Sequence, residues 1–157
     1  MPTHAEKRVM PYSAAQMYDL IADIGSYPEF LPWCSAARIR SEKPLPDGSG
    51  SVIDADLIIS FKLFREKFGS RVTLRPDARK IDVEYLDGPF RYLNNHWQFR
   101  PIDEQSCEVD FFVDFEFRSA LLQSVIGLVF YEAMQRIVRA FEARAEVLYG
   151  SGPATSS

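Results

Sequence analysis

The sequence from Ser119 to Tyr149 reads SALLQSVIGLVFYEAMQRIVRAFEARAEVLY and contains no proline. Its apolar residues recur at steps of three and four, which places them along one side of an α-helix. Ser119 has the side chain of a good N-cap, and Gly150 stands where many helices end. The pattern predicts one helix from about Ser119 to Tyr149, roughly 45 Å long at about 1.5 Å per residue.

The two halves of this helix differ in composition. Residues 120–130 are apolar almost all round, and only Gln123, Ser124 and Gly127 interrupt them. In the second half, glutamate and arginine alternate with the apolar stripe, so that half has a side suited to water. A helix that is apolar on every side needs apolar partners on more than one side. We therefore expect the rest of the chain to enclose the first half.

Length and composition describe an ordinary soluble chain of 157 residues with a formal net charge of −4. They predict one domain at residues 1–150 and a disordered tail at 151–157. The negative charge disfavours general or specific DNA binding, which needs a basic face. Two cysteines, Cys34 and Cys107, are too few for a secreted disulfide framework. The N-terminus resembles no targeting peptide, and the longest apolar run is too short to cross a bilayer. We expect a cytoplasmic protein.

The first third of the chain predicts one strand and two short helices. The strand is expected at Glu6–Met10. Ser13 and Gln16 form a capping box, and the helix that follows them is expected to stop at Gly25. A second cap pattern at residues 26–29, with Pro28 in an early turn, predicts a second short helix that Pro32 closes.

From about Cys34 to Phe117 the apolar pattern has a period of two. Alternating apolar and polar residues are typical of a strand with one buried face. Turn clusters rich in proline, aspartate and glycine separate the runs, so they predict about six antiparallel strands in a meander. The inward-facing residues include Ile53, Ala55, Leu57, Ile59 and Phe61, then Phe64, Phe68, Val72 and Leu74, then Ile81, Val83 and Tyr85, then Leu93, Trp97 and Phe99, and finally Val109, Phe111, Val113, Phe115 and Phe117.

A sheet with one polar and one aromatic face must cover the aromatic face. The long last helix is the natural cover, gripped by a curved sheet. We expect side chains near its first half to leave a gap between helix and sheet, which would be a hydrophobic pocket. The predicted class is therefore α+β, with six or seven antiparallel strands curved around the C-terminal helix and two short helices after the first strand.

Few residues suggest catalysis or metal binding. His4 is expected in a frayed terminus and His96 on the solvent side of a strand, with no ligand spacing around them. The aspartates at 54, 56, 110 and 114 alternate as the polar face of a sheet does. We predict no catalytic residue, no metal site and no enzymatic activity.

Glu66 is the one charged residue that the period of two places inward. Glutamate is rarely buried, so we favour a solvent-exposed strand end or bulge at this position. The alternative is a polar contact inside the cavity, where a carboxylate would need a partner or water.

The aromatic residues also allow two interpretations. Most aromatic residues on the inner face of a sheet form core. The loop aromatics at 27–33 and 88–90 instead suit a pocket rim or a membrane or partner contact.

Several blocks of the sequence resemble a known family. They are Pro11-Tyr12-Ser13-Ala14, Asp23-Ile24, Tyr27-Pro28-Glu29-Phe30-Leu31-Pro32-Trp33-Cys34, Phe61-Lys62, Ser70-Arg71-Val72, Gly88-Pro89-Phe90 with Leu93 and Trp97, and Phe115-Glu116-Phe117 before Leu121-Leu122. With these blocks the chain is similar to the coenzyme-Q-binding START-domain proteins, a polyketide cyclase or SRPBCC-like family. That family also includes bacterial members described as ribosome-association toxin A.

The resemblance implies a helix-grip fold of the START or Bet v 1 kind, with a lipophilic tunnel between sheet and helix. It implies a bound polyprenyl quinone, ubiquinone above all, and a role as a lipid chaperone or transfer protein in respiration or ubiquinone biosynthesis. No catalytic cofactor is expected. The residues expected to contact the ligand are Tyr27, Phe30, Leu31, Trp33, Phe61, Phe90, Leu93, Trp97, Phe111, Phe115, Leu122, Ile126 and Phe130. Donors to the quinone head are expected from Trp97, Tyr85, Tyr92 or Asn94.

Two further functions follow from the same resemblance. One is a toxin of the toxin–antitoxin kind that binds the large ribosomal subunit and blocks subunit association, through Lys62, Arg65, Lys67 and Arg71. The other is an aromatase/cyclase-like enzyme, for which the chain offers no convincing acid/base pair. Transfer of a lipid would add transient contact with a membrane surface, with the protein peripheral at its inner face.

Overall fold

The structure, a computed structural model, describes residues 3–61 and 64–150, without the side chains of Phe61 and Phe64. The predicted tail at 151–157 and Lys62 therefore lie outside the described residues. The elements are β1 Thr3–Met10, α1 Ala14–Ala22, a 3-10 helix Ile24–Glu29, β2 Cys34–Pro44, β3 Ser51–Phe61, β4 Phe64–Arg75, β5 Lys80–Asp87, β6 Phe90–Pro101, β7 Cys107–Phe117 and α2 Ala120–Tyr149.

The seven strands form one antiparallel sheet in the order β1-β7-β6-β5-β4-β3-β2. Register shifts interrupt the ladders between β2 and β3, between β4 and β5, and between β6 and β7. Such irregularities bend and twist a sheet. The predicted α+β class, with a curved antiparallel sheet and a long C-terminal helix, is confirmed.

The short elements between β1 and β2 follow their local signals. The Ser13 hydroxyl accepts a hydrogen bond from the Gln16 backbone N–H at 3.1 Å, and the Gln16 side chain accepts one from the Ser13 N–H at 3.0 Å. This capping box begins α1 as predicted. The helix ends at Ala22, earlier than expected, because a 3-10 helix at Ile24–Glu29 takes over.

The C-terminal half of α2 lies in the main hydrophobic core. Ala145 is fully buried, and the Phe141 ring packs edge-on against Phe30 and Trp97, with ring centroids 5.4 and 5.5 Å apart. The Tyr149 hydroxyl donates to the carbonyl of Gln16 at 2.9 Å, which ties the end of α2 to α1. This half is anchored from several sides.

The N-terminal half of α2 is not enclosed, so that prediction is wrong. Leu121, Leu128 and Tyr131 are 65%, 88% and 74% exposed. Within residues 3–61 and 64–150, the chain covers only the side of this half that faces the sheet. By length and composition α2 is also apolar enough to cross a membrane, contrary to the sequence-based expectation, and 17% of its most apolar window is buried. That criterion is weak, because core helices of soluble proteins also meet it.

The outer face of the sheet is polar, but not all of its polar residues are exposed to solvent. Asp56 was expected in water, yet it is 5% exposed and paired with the guanidinium of Arg40. A Cβ atom at Gly69 would meet that guanidinium, so glycine at this position leaves room for Arg40 to reach Asp56. The hydrogen bond from Arg40 holds the pKa of Asp56 below its usual range. The pair lies directly behind Leu57 and Phe68, which face inward.

Candidate ligand cavity

A cavity of about 260 Å³ lies between the inner face of the sheet and α2. Its wall is almost wholly apolar, because strands β3 to β7 turn alternate residues toward it and β2 adds Cys34. Met134, Ile137 and Phe141 of α2 close the opposite side. Six of the predicted ligand contacts line this cavity, namely Tyr27, Leu31, Trp33, Leu93, Trp97 and Phe111.

A second cavity of about 110 Å³ adjoins the first, under the N-terminal half of α2. Trp33, Ile59 and Phe68 line both cavities and form the partition between them. Three more predicted contacts, Phe90, Leu122 and Ile126, line only the second cavity. The predicted gap near the first half of the helix is therefore present.

The other predicted contacts lie elsewhere. Phe30 packs on Phe141 beneath the Arg144 guanidinium, 5.1 Å from the ring centroid, and lines neither cavity. Phe115 and Phe130 pack against each other with ring centroids 5.6 Å apart, beside the cavities. The side chain of Phe61 lies outside the described residues. Ligand contact by any of the thirteen residues stays a prediction.

Sequence reasoning missed several wall residues that were already visible in its own pattern. Leu57, Ile59, Phe68, Val72, Ile81, Val83 and Val113 follow the inward period of two, and Met134, Ile137 and Phe141 follow the apolar stripe of α2. The period showed that they face inward. It did not show which inward residues meet other side chains and which meet a gap.

Trp33 owes its place on the partition to an unusual backbone. Its φ of 65° lies in the left-handed region, which is strained for a bulky side chain. The Trp33 carbonyl accepts a hydrogen bond from the Ser60 N–H at 2.7 Å, which ties the turn to β3. At the other rim, a Cβ atom at Gly88 would come within 2.6 Å of Phe68, so only glycine fits there and Phe90 reaches the second cavity.

Most polar groups around the larger cavity already form hydrogen bonds within the protein. The Trp97 indole N–H donates to Asn95 Oδ1 at 3.0 Å, and the Asn95 amide donates to the Phe112 carbonyl at 2.9 Å. Asn95, not the predicted Asn94, lines the cavity, since Asn94 is exposed on the outer face. Asn95 lies two residues before Trp97 on the same strand, so the period of two is enough to place it on the inward face.

The hydroxyl groups of Tyr85, a predicted donor to the quinone head, and of Tyr27, a predicted ligand contact, form hydrogen bonds within the protein. The Tyr85 hydroxyl accepts a hydrogen bond from the Phe90 N–H at 3.0 Å, which fixes the start of β6. The Tyr27 hydroxyl donates to the Ile21 carbonyl, and burial raises the pKa of Tyr27 well above its usual range. Burial also raises the pKa of the Cys34 thiol on the cavity wall, which keeps it protonated and unreactive.

Two polar side chains on β4 line the cavities without forming hydrogen bonds to other described residues. Ser70 is 3% exposed and lines the larger cavity, and Glu66 lines the smaller one. Neither side chain has a hydrogen bond or ion pair within residues 3–61 and 64–150. Glu66 is partly buried at an inward position of a regular ladder, opposite Ile59. The structure thus corrects the favoured interpretation of Glu66 as an exposed strand end or bulge.

Glu6 and Arg8 of β1 line a separate cavity of about 40 Å³, which shares Trp97, Phe111 and Phe141 with the larger cavity. His4 is not frayed, because it pairs with Val113 in the sheet and its Nε2 lies 3.0 Å from a Glu6 oxygen. Arg8 donates to Glu6 at 2.8 Å and to Glu142 of α2 at 2.9 Å. Burial opposes ionisation of Glu6, yet the hydrogen bonds from Arg8 and His4 lower its pKa.

The structure offers little for metal or acid–base chemistry. No group of three His, Cys, Asp or Glu side chains suited to a metal ion occurs in the part of the chain that is described. His96 lies on the solvent side as predicted, with its Nδ1 2.8 Å from Asp82.

Residues 10–142 match the family described as polyketide cyclase/dehydrase and lipid transport. The chain belongs to this family. Over 142 residues it is 39% identical to the ribosome association toxin RatA of Rickettsia prowazekii, and the match covers 88% of this chain and 92% of that one. It is 32% identical over 151 residues to the mitochondrial coenzyme Q-binding protein COQ10 homolog B of Xenopus laevis, with 94% of this chain and 59% of the longer relative covered.

Several solved structures are also similar to this chain. The solution structure of an 18 kDa protein from Caulobacter crescentus is 38% identical with a TM-score of 0.77, and the match covers 96% of this chain and 100% of that one. A START superfamily protein from Mycobacterium smegmatis has a TM-score of 0.76 at 18% identity, with 93% of this chain and 98% of that one covered. The Zhui aromatase/cyclase from Streptomyces has a TM-score of 0.76 at 17% identity, with 96% and 98% covered. The last two share the fold alone. Together the comparisons confirm the helix-grip fold. They also confirm the resemblance to the coenzyme-Q-binding proteins and to the ribosome association toxins.

Proposed function

We propose that this family member binds a polyprenyl quinone, specifically ubiquinone, between the sheet and α2, and carries it as a lipid chaperone in support of respiration or ubiquinone biosynthesis. The observation that carries the proposal is the apolar cavity of about 260 Å³ that adjoins a second one of about 110 Å³. The relative named for coenzyme Q binding supports the choice of ligand.

The size and lining of the cavities suit such a ligand. An engineered apolar cavity of about 150 Å³ stays dry and takes up benzene. The larger cavity therefore has room for a substituted ring or the first isoprene carbons, and the smaller one extends it. Each carbon that leaves water contributes roughly 0.8 kcal/mol, so even one five-carbon isoprene unit contributes about 4 kcal/mol.

The role we propose is not enzymatic. Glu66 is the one carboxylate among the described residues of the two cavity walls, and no histidine accompanies it there. An aromatase or cyclase reaction would need a second group within hydrogen-bond reach of the first. The likeness to an aromatase/cyclase at 17% identity concerns the fold alone and supplies no such pair.

Delivery of a lipid requires contact with a bilayer, and α2 offers a surface for it. Leu121, Leu128 and Tyr131 are exposed on the side of α2 opposite the second cavity. Exposed apolar groups that lie together are typical of membrane or partner contacts. We call this surface the α2 apolar side. We propose that the protein is cytoplasmic and that this surface rests transiently on a lipid bilayer while the protein loads or releases its ligand.

The two tryptophans of the chain, Trp33 and Trp97, both line the larger cavity and give the proposal a direct test. Titration with a short-tailed ubiquinone should quench their fluorescence to saturation. Val83→Phe, which fills the cavity, should weaken this binding about tenfold or more, and Ile39→Phe at an exposed position of β2 should not. Quenching that never saturates, or that is equal in both variants, would contradict the proposal.

A second function is supported by a different observation, the relatives named ribosome association toxin RatA at 39% and 34% identity. Such a protein would bind the large ribosomal subunit through a basic surface. Arg65 and Lys67 are exposed on the outer face of β4 and form no ion pair among the described residues, although the charge of Lys67 also acts on Asp56. Arg71, also predicted for this surface, is already paired with Asp54 at 2.9 Å.

Co-sedimentation with purified large ribosomal subunits at low salt tests the second function. We expect binding to weaken several-fold when Arg65 and Lys67 are both changed to glutamate, since each removed cation reduces contact with phosphate. The matched control is the charge reversal of Lys80 and Arg91, which are exposed on other strands. Failure of the unaltered protein to co-sediment would exclude this function.

A further inference from the structure

Ser70 places a hydroxyl group on the wall of the larger cavity and gives it no partner within the protein. The residue lies on β4 between the inward side chains of Phe68 and Val72, and it is 3% exposed. A register shift against β5 falls between Gly69 and Ser70, and such irregularities re-aim the side chains beside them. No described residue forms a hydrogen bond with this hydroxyl.

The hydroxyl oxygen of Ser70 borders the cavity and not bulk solvent. Among the described residues, the buried side-chain polar atom that is both fully enclosed and without a partner is the hydroxyl oxygen of Tyr18. The oxygen of Ser70 therefore touches open space, and because the residue is almost fully buried, that space is the cavity it lines. A buried hydroxyl without a partner costs free energy. Its partner must be water in the cavity or a ligand that replaces this water.

Asn95 adds a second donor on the same wall. Its amide nitrogen carries two hydrogens, one of which is donated to the Phe112 carbonyl at 2.9 Å, while its oxygen accepts from Trp97 at 3.0 Å. The other N–H has no partner among the described residues. Asn95 is on β6, two strands from Ser70, so about 10 Å separates their strands. A ring with oxygens on opposite sides can lie between two such donors.

The two cavities differ in size and chemistry. The larger one exceeds the roughly 150 Å³ that holds a benzene ring, whereas the second, at about 110 Å³, does not. The second cavity lies under the N-terminal half of α2 among mostly apolar side chains, including Leu122, Val125 and Ile126. A hydrocarbon chain needs no hydrogen bond, whereas a ring with carbonyl oxygens loses those of water unless the protein replaces them. The ring therefore fits the larger cavity, and the chain fits the second.

We propose that the ring of an isoprenoid quinone lies in the larger cavity with one oxygen hydrogen-bonded to the Ser70 hydroxyl, while its tail leaves through the second cavity beside the N-terminal half of α2. Asn95 donates to the oxygen on the other side of the ring. This inference rests on the proposed quinone-binding function, and it adds the orientation of the ligand and a residue that selects an oxygen-bearing ring over a hydrocarbon. A hydroxyl both donates and accepts, so Ser70 takes quinone and quinol alike.

Equilibrium uptake of two probes by the full chain tests the role of Ser70. Decyl-ubiquinone and decylbenzene carry the same tail, but decylbenzene has no ring oxygen. We expect Ser70→Ala to weaken binding of decyl-ubiquinone about fivefold or more and to leave that of decylbenzene within about twofold, because decyl-ubiquinone alone loses a hydrogen bond in a dry cavity. Ser35→Ala, at an exposed position of β2, is the matched control and should change neither affinity.

Infrared difference spectra of bound decyl-ubiquinone with isotope-labelled carbonyl carbons report on the hydrogen bond itself. A carbonyl band should shift in Ser70→Ala and keep its position in Ser35→Ala. Equal loss of both probes, unchanged affinity for decyl-ubiquinone or an unshifted band would each overturn the inference while leaving ligand binding intact. Uptake of neither probe by the unaltered protein would remove the proposed function together with the inference.

Discussion

Both halves of α2 carry apolar residues, but the surroundings of these residues differ. The C-terminal half packs against α1 and the sheet through Phe141 and Ala145, and is held by Arg8 and Tyr149. The N-terminal half faces a cavity on one side and solvent on the other, with Leu128 88% exposed. One helix thus gives part of its apolar residues to the core and, in the function we propose, the rest to contacts with a ligand and a membrane. The anchored half fixes the fold, and the uncovered half leaves room for a ligand and a surface for a partner.

The largest expected difference is in stability. Phe141→Ala should lower the free energy of unfolding by about 3–5 kcal/mol, because it removes a buried ring that packs on three other aromatics. Leu128→Ala, at the exposed half, should change it by less than about 0.5 kcal/mol. Urea denaturation of both variants measures the two values. Similar losses in both would show that the N-terminal half is packed as well.

A smaller effect is expected on membrane binding. Leu128→Asp should weaken binding to vesicles of zwitterionic and anionic phospholipids about tenfold, since one buried leucine contributes roughly 1.5–3 kcal/mol. Ile102→Asp, at an exposed apolar residue outside α2, is the control. Vesicle sedimentation measures both, and an equal loss in the control would mean that the α2 apolar side has no special role.

The smallest effect concerns the ion pairs that hold the anchored half. The pKa of Glu6 is lowered in the folded protein by Arg8 and His4, against the effect of burial. A lowered pKa gives stability that is present above the unfolded value of about 4.3 and is lost as pH falls through the folded value. We expect Glu6 to contribute at most about 1 kcal/mol, because the pair with Arg8 is partly exposed.

Thermal unfolding between pH 7 and pH 3 of the unaltered protein and of Arg8→Met checks this contribution. The variant should lose part of the acid dependence, while ligand binding at pH 7 stays within about threefold. An acid dependence that is identical in the two proteins would exclude Arg8 as its cause.

Much of the fold could be predicted because its signals are local. Ser119 and Gly150 set the ends of α2 through their caps, and the capping box at Ser13 begins α1. The alternation in β7 from Val109 to Phe117 shows directly which face is inward. In each case the sequence neighbours that decide the structure lie within a few residues.

The missed features depend on distant residues. Asp56 is buried because Arg40 on β2 reaches it past Gly69 on β4, and alternation within β3 cannot show that. His4 is ordered because β1 pairs with β7 far along the chain. Leu128 is exposed because it lies on the side of α2 away from the second cavity, which no described residue covers. The sequence pattern marks apolar residues but not the boundary between core and cavity.

Native mass spectrometry of protein purified from a ubiquinone-producing host, with extraction of the bound lipid, tests the central claim most directly. We predict a bound fraction with the mass of ubiquinone or ubiquinol, strongly reduced in Val83→Phe and retained in Ile39→Phe, with all three proteins folded. An empty protein from a host rich in quinone, or equal loading of the cavity-filled variant, would contradict the account.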